Sequence, residues 1–320
     1  MPKKPSLRRN LAAALVLAGL SPLQAFAACP LSEKTIDYFS NAAHTTKTAS
    51  QKAFAISDGS VLFRARMMIN FDGYAKAYHR DNVAGGAVLH LCNAADVYLP
   101  DGSHYVGSSS NAVCTGKFMT DYARIRSAGW TNPAVGAMKW YGVLARESLS
   151  IGGHTVRPVK PVEQADGSGF YVSPTALADT TIADEADQTR YIDATKIAGA
   201  VVRSPSLVSE LSVGAGTFGV AFDPKVGKAV PFIVGDFGPR VGEATPFLAR
   251  SVEKVSENLP YDREHRYLGG VDEARIVWIF FRGEKMAAPY TASSVATAAS
   301  AAFETWGGEA RLKECVSKLP

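Results

Sequence analysis

Two acidic residues, Asp236 and Glu243, stand seven positions apart in the segment 232–250, which reads FIVGDFGPRVGEATPFLAR. Inverting cleavage of a glycosidic bond needs two carboxyl groups about 6.5–9.5 Å apart, one to protonate the leaving oxygen and one to activate water. Asp236 follows an apolar stretch, and the Gly/Pro-rich loop after it predicts a tight turn that points both side chains into one cavity. Arg240, between them, would lower the pKa of one carboxyl while burial raises the other.

The same two residues have a purely structural interpretation. An Asp before a Gly-Pro turn commonly bonds its own backbone, and a Glu that opens a helix is stabilised by the helix dipole. Spacing alone therefore leaves both readings open.

The N-terminus predicts export. Four basic residues precede the apolar run 11–20, and Ala25-Phe26-Ala27 follows as a cleavage pattern. We expect residues 1–27 to be a signal peptide and the mature protein to be secreted or periplasmic. The apolar run is about half the length that a membrane-spanning helix needs, which argues against a stable membrane anchor.

The charge balance argues against nucleic acid as a partner. The chain has formal net charge +4, and Lys3, Lys4, Arg8 and Arg9 of the signal account for all of it. The mature chain is therefore near neutrality, and it has no basic stripe with interleaved aromatic residues. We expect a monomer whose partner is a polysaccharide substrate.

Four cysteines follow the signal, and an even number in an oxidising compartment predicts two disulfides with three possible pairings. We favour Cys92–Cys114, which closes a local loop, with Cys29–Cys315, which ties the two ends together. Cys and His residues lack metal-ligand spacing, so we expect no metal and no other cofactor.

Short strands and tight turns dominate the rest of the chain. Residues 28–60 look like a polar N-terminal extension with room for a short helix, and residues 61–320 like a single catalytic domain. Residues 217–222 and 229–234 predict a hairpin, and the apolar run 275–281 predicts a strand buried on both faces. Helices are predicted from about 243 to 258 and from 292 to 306. This pattern indicates a mainly β (α+β) protein with a barrel and peripheral helices.

The block GDFGPRVGEATPFLAR resembles the signature of glycoside hydrolase family 75, the chitosanase family first known from fungi. Weaker blocks occur in the family's order across residues 69–308, among them FDGYAKAYH, GFYVSPTAL, YIDATKIAGAVV and the closing PYTASSVATAASAAFETWGG. The matching residues of the signature are Asp236, Gly238, Gly242, Glu243, Ala244, Leu248 and Ala249.

The resemblance implies a six-stranded double-psi-type β-barrel and inverting endo-hydrolysis of chitosan or a related amino-sugar polymer. Within the sequence itself, Glu243 follows Gly242 and has the apolar neighbours Val241 and Phe247, which makes it the better candidate for a general acid with a raised pKa and Asp236 the general base. The sequence departs from the family at Asn70, where an acidic residue is usual, at Pro246, and in a shorter loop between the acids. These departures affect the expected substrate more than the expected reaction.

Further candidates for substrate binding are Asp72, Asp193, Tyr78 and Arg240, with Tyr171 and Trp140 as other rings that could stack on a sugar. All but Arg240 have a structural alternative: a turn for Asp72, a cap for Asp193 and the core for the aromatic rings.

Two other functions remain open, a non-catalytic envelope module that binds glycan or protein and a hydrolase of peptidoglycan glycan strands. A serine hydrolase is disfavoured because the chain lacks a GxSxG element, and VGAGTFG lacks the spacing of a nucleotide-binding loop.

Overall fold

The computed structural model describes residues 29–39, 47–202, 207, 211–238, 240–283 and 285–320. The predicted signal peptide lies outside these residues. The described part is mainly β and forms fifteen strands: β1 Ser32–Phe39, β2 Lys47–Ala55, β3 Val61–Ile69, β4 Ala95–Tyr98, β5 His104–Val106, β6 Ala137–Trp140, β7 Ala145–Arg146, β8 Leu149–Ile151, β9 His154–Val156, β10 Lys160–Pro161, β11 Gly199–Val202, β12 Phe218–Asp223, β13 Lys228–Phe237, β14 Glu243–Ala244 and β15 Val271–Phe280.

Six of these strands close into a barrel. Their order is β3-β14-β11-β13-β12-β15, and β15 pairs back onto β3 to complete the ring. The β14–β3 and β11–β13 pairs are parallel, whereas the other neighbours are antiparallel. The predicted mainly β fold with a six-stranded barrel and peripheral helices is confirmed.

Alternating side chains explain why β15 is apolar at nearly every position of its second half. Trp278 and Phe280 point into the barrel, where both contact the ring of Phe232 at centroid distances of 5.7 and 5.3 Å. Val277 and Ile279 point outward into a second apolar cluster, covered by the C-terminal helices. A strand buried on both faces has no polar side to display, and the predicted strand 275–281 is thus confirmed.

The hairpin prediction is also confirmed, because β12 and β13 are antiparallel with Asp223 opposite Lys228. The N-terminal extension differs from the expectation. Instead of a short helix it forms the antiparallel pair β1–β2, and β2 continues onto β3 through Phe54 and Ala55.

In the described part of the chain, four α-helices lie around the strands: α1 Phe118–Ser127, α2 Pro246–Val252, α3 Ala292–Trp306 and α4 Gly308–Lys318. Helix α3 has the predicted bounds. Its N-terminal cap is Thr291, whose hydroxyl accepts from the Ser294 amide. The helix predicted for 243–258 is wrong at both ends. Thr245 caps α2 and is followed by Pro246, and a proline suits the first turn of a helix. Glu243 precedes this cap and lies in strand β14. Within the described ranges, no helix is long and apolar enough to cross a membrane.

A third apolar cluster lies beside the barrel and is formed mostly by residues that lie between β3 and β11 in the chain. Tyr122, Trp140 and Tyr171 contact one another there, and the Cys92–Cys114 disulfide borders them. The other disulfide joins Cys29 to Cys315 in α4, so both predicted pairings are confirmed.

Candidate functional site

The two predicted acids lie in neighbouring parts of the barrel wall. Asp236 is near the end of β13 and Glu243 begins β14, and strand β11 runs between them. Val201 of β11 is the register partner of both residues, after a bulge that follows Ala200. Adjacent strands are about 4.8 Å apart, so backbone positions two strands apart are about 9–10 Å apart.

A third acid, Asp72, follows the end of β3 and belongs to the same cluster. Its backbone amide donates to Oδ1 of Asn70 at 2.7 Å, which fixes the turn. Burial, and then the charges of Asp236 and Glu243, raise the pKa of the Asp72 carboxyl well above its usual value. Because both charges act on Asp72, the fold brings three carboxyl groups together.

Asp236 is held by the backbone of a crossing segment. The Ala176 amide donates to its Oδ1 at 2.8 Å. Burial raises the pKa of Asp236 to about 6, against the opposing effect of hydrogen bonds from the Ala176 and Phe237 amides. This carboxyl therefore loses its proton just below neutral pH.

Glu243 holds its proton more strongly. Burial raises its pKa to about 7, with a further contribution from the charge of Asp236, while Arg240 and a hydrogen bond from Asn70 oppose the rise. The distance from Asn70 Nδ2 to Glu243 Oε2 is 3.5 Å. Arg240 thus lowers the pKa of one of the two carboxyl groups, as predicted. That group is Glu243, the same carboxyl whose pKa burial raises by more than Arg240 lowers it.

The site has room for the Glu243 carboxylate because residue 238 is a glycine. A Cβ atom at Gly238 would lie 2.8 Å from Oε2 of Glu243 and 2.8 Å from Cγ1 of Val201. Such distances are shorter than van der Waals contact. Gly238 therefore acts as a spacer beneath the acid.

Each of the three acids keeps part of its surface exposed although protein surrounds it on most sides. That environment explains how the same carboxyls can be strongly desolvated and still reachable. Between about pH 6 and 7 one carboxyl of the Asp236–Glu243 pair is mainly ionised and the other mainly protonated. A proton donor and a proton acceptor on facing positions can perform general acid–base catalysis.

Tyr78 is not a surface for a sugar ring, contrary to its predicted role in binding substrate. It is 3% exposed within the cluster beside the barrel, and its hydroxyl bonds to Asp72. Its contribution is to hold the acid. Tyr171 and Trp140 are equally buried, as their structural alternative required.

Two aromatic residues that the sequence analysis did not select are exposed near the acids. Phe237 directly follows Asp236 and is 40% exposed, and Tyr141 is 42% exposed. The charge of Asp72 acts on the Tyr141 hydroxyl, which also bonds to Ser108. Exposure, which the sequence pattern did not reveal, is what separates these rings from the buried ones.

Asp193 has the contacts of a turn residue. Its Oδ1 accepts from the Thr195 amide at 2.9 Å and from the Thr195 hydroxyl at 2.6 Å, and Oδ2 pairs with Lys196 at 2.9 Å. It lines a surface cavity of about 410 Å³ together with Gly73. The capping alternative describes Asp193 better than direct binding of substrate at the acids.

Among the described side chains, no group of three or more His, Cys, Asp and Glu residues has the geometry to hold a metal ion. No family model matches this chain, and no curated protein sequence matches it. The chemistry of the site therefore rests on its own residues and their arrangement.

Proposed function

We propose that this protein is an exported, inverting glycoside hydrolase that cuts an amino-sugar polymer of the chitosan type. The observation that carries the proposal is the placement of Asp236 and Glu243 opposite the same residue, Val201, with both pKa values raised and that of Glu243 the higher. Glu243 is the general acid and Asp236 the general base.

The proton transfers follow from these pKa values. The protonated Glu243 donates its proton to the glycosidic oxygen as the bond to the anomeric carbon breaks. Asp236 accepts a proton from the water that attacks the opposite face of that carbon. One water molecule is consumed, and each carboxyl returns to its starting state by exchanging a proton with solvent.

The strand spacing leaves room for the water molecule that inversion requires. A retaining enzyme holds its carboxyls only about 5–5.5 Å apart, whereas an inverting one leaves space for water at about 6.5–9.5 Å. Asp236 and Glu243 begin from backbone positions about 9–10 Å apart, since one strand separates them. This spacing accommodates a water molecule together with the sugar.

The substrate class rests on the family resemblance and on the local charge. Three carboxyl groups, from Asp72, Asp236 and Glu243, lie close together in a chain whose mature form is near neutral. The ionised Asp236 would attract the ammonium group of a glucosamine unit. The exposed rings of Phe237, next to Asp236 in the chain, and of Tyr141 offer apolar faces for a sugar.

The test is incubation of the purified protein with reduced-end-labelled chitosan oligosaccharides, with product anomers followed by NMR. The β-linked substrate should release α-anomers, and Glu243→Gln and Asp236→Asn should each lower kcat by at least about a hundredfold. Asp193→Asn is the matched control and should retain activity.

Release of β-anomers would contradict the inverting mechanism. A wild-type protein that is folded but inactive on chitosan, chitin oligosaccharides and peptidoglycan would contradict the hydrolase itself.

A further inference from the structure

A second cavity, of about 400 Å³, lies where the loop before β15 meets the region of the Cys92–Cys114 disulfide. Its walls include the basic residues His90, Arg263 and Arg266 and the hydroxyl groups of Ser108 and Ser110. No Asp or Glu is among the residues that line it. The cavity is therefore a concentration of hydrogen-bond donors and positive charge.

Arg263 and Arg266 have no ion pair with an Asp or Glu among the residues that the structure describes. Arg263 donates from Nη2 to Nε2 of His90, while its Nη1 is buried and has no hydrogen-bond partner. Burial and then the charge of Arg266 lower the pKa of Arg263. Burial and then the two arginines also lower the pKa of His90. An anion would relieve this mutual repulsion and would satisfy the free N–H of Arg263.

Nearby acids do not supply that anion. Asp262, next in the chain, accepts from the backbone amide of His265 at 2.9 Å and from its Nδ1 at 2.8 Å. Glu264 is exposed and does not line the cavity. Arg266 stacks over the ring of Tyr267, with 4.5 Å between its Cζ atom and the ring centroid. Its Nη1 donates to the backbone carbonyl of Arg263, and stacking leaves the rest of the guanidinium edge to bond an oxyanion.

The cavity adjoins the acid cluster through one residue. Ser108 lines the cavity and bonds to Tyr141, and the charge of Asp72 acts on Tyr141 in turn. A chain of sugar units that passes over Tyr141 would therefore meet negative charge at one end and positive charge at the other.

We propose that Arg263 and Arg266 form a subsite for an anionic oxygen group, such as a carboxylate, carried by a polysaccharide. His90, whose Nε2 accepts from Arg263 and whose Nδ1 bonds to Asn82, holds Arg263 in place. The carrier rests on the proposed function, whereas the anion site does not. A pure glucosamine polymer presents only ammonium groups, which two arginines repel. The preferred substrate is thus an amino-sugar polymer of the proposed type that also carries acidic groups.

Calorimetric titration tests this subsite without turnover, on the Glu243→Gln background. The probes are a carboxymethylated chitin hexasaccharide, the unmodified hexasaccharide and inorganic sulfate. The hexasaccharide with carboxyl groups should bind at least about tenfold more tightly than the unmodified one. Adding Arg263→Gln and Arg266→Gln together should abolish that preference and leave binding of the unmodified hexasaccharide unchanged.

Two variants keep the outcome interpretable. Arg266→Lys retains the charge and should keep most of the preference, whereas Arg146→Gln removes an exposed arginine of β7 and should change nothing. Thermal unfolding checks that each variant is folded.

Equal affinity for both hexasaccharides in a folded protein would overturn the subsite. Binding of sulfate with no preference for the carboxymethylated sugar would overturn its assignment to a polysaccharide. If the wild-type protein hydrolysed none of the polymers but the Glu243→Gln variant still preferred the carboxymethylated hexasaccharide, the result would count against the proposed function alone.

Discussion

Gly238 lies directly against the carboxylate of Glu243, so close that a Cβ atom there would be 2.8 Å from Oε2. The same Cβ would press on Val201, the residue that separates the two acids across the sheet. The backbone between Asp236 and Glu243 is thus shaped to leave the general acid in place. Any side chain at position 238 must displace either the acid or the strand between the acids.

We therefore expect Gly238→Ala to lower kcat by about ten- to a hundredfold, because small misplacements of a catalytic group have effects of that order. The thermal midpoint should fall by only a few degrees, since Gly238 is partly exposed. Steady-state kinetics and a thermal melt check both. Unchanged kcat in Gly238→Ala would show that the position of Glu243 is less constrained than the geometry indicates.

The pH profile of kcat/KM should be a narrow bell. Asp236 must be ionised to act as base, so activity falls below its pKa of about 6, and Glu243 must be protonated, so activity falls above its pKa of about 7. Arg240 stabilises the ionised Glu243. Removing it in Arg240→Gln should raise the pKa of Glu243 and move the alkaline limb to higher pH.

Arg146→Gln serves as the control for that shift. An alkaline limb that stays in place in Arg240→Gln would assign the limb to a group other than Glu243.

Replacing Asp72 should stabilise the fold at alkaline pH. Burial and its acidic neighbours raise the pKa of Asp72 in the folded state above the unfolded value. Its contribution to stability is therefore present below the unfolded pKa and is lost as the pH rises through the folded pKa. Asp72→Asn should raise the unfolding free energy at pH 8, and the difference should vanish toward pH 4.

Urea denaturation at several pH values measures this effect. Asp193→Asn should show no such gain, because Asp193 already has donors in Thr195 and Lys196. A pH-independent change in Asp72→Asn would mean that the effect comes from packing instead of charge.

The exposed ring beside the base should contribute to binding of polymer. Phe237→Ala should raise KM for a long oligosaccharide about three- to tenfold, with a smaller effect on kcat, since an exposed ring gains stability when a sugar covers it. Leu259→Ala, with 36% of its residue surface exposed, is a matched apolar control. If kcat fell and KM did not change, Phe237 would instead position Asp236.

The sequence predicted those features that local chemistry determines. The turn from Asp223 to Gly227 and the β-rich arms beside it specify the hairpin that ends near Asp236, and the apolar run before Phe281 specifies β15. Loop closure and the proximity of the chain ends were enough to choose the disulfide pairing. In each case the determining residues are close in sequence, or few pairings are possible.

What the sequence did not reveal depends on distant partners. Strand β14 has two residues, Glu243 and Ala244, and exists only because β11 and β3 pair with it on either side. Neither the Ala176 amide that holds Asp236 nor the burial of Tyr78 has a local signature. Asn70 was recognised only as a departure from the family, although its side chain connects Asp72 with Glu243.

The Cys29–Cys315 disulfide sets an order of events during maturation. Its cysteines are 286 positions apart, with Cα atoms 5.3 Å apart in the folded protein. The Cys29 thiol must therefore wait, unpaired, until nearly all of the chain has been synthesised and α4 has docked. The Cys92–Cys114 bond, with a separation of 22, can close long before. Before α4 docks, Cys29 can meet only Cys92 and Cys114, so early closure of the Cys92–Cys114 bond protects Cys29 from mispairing.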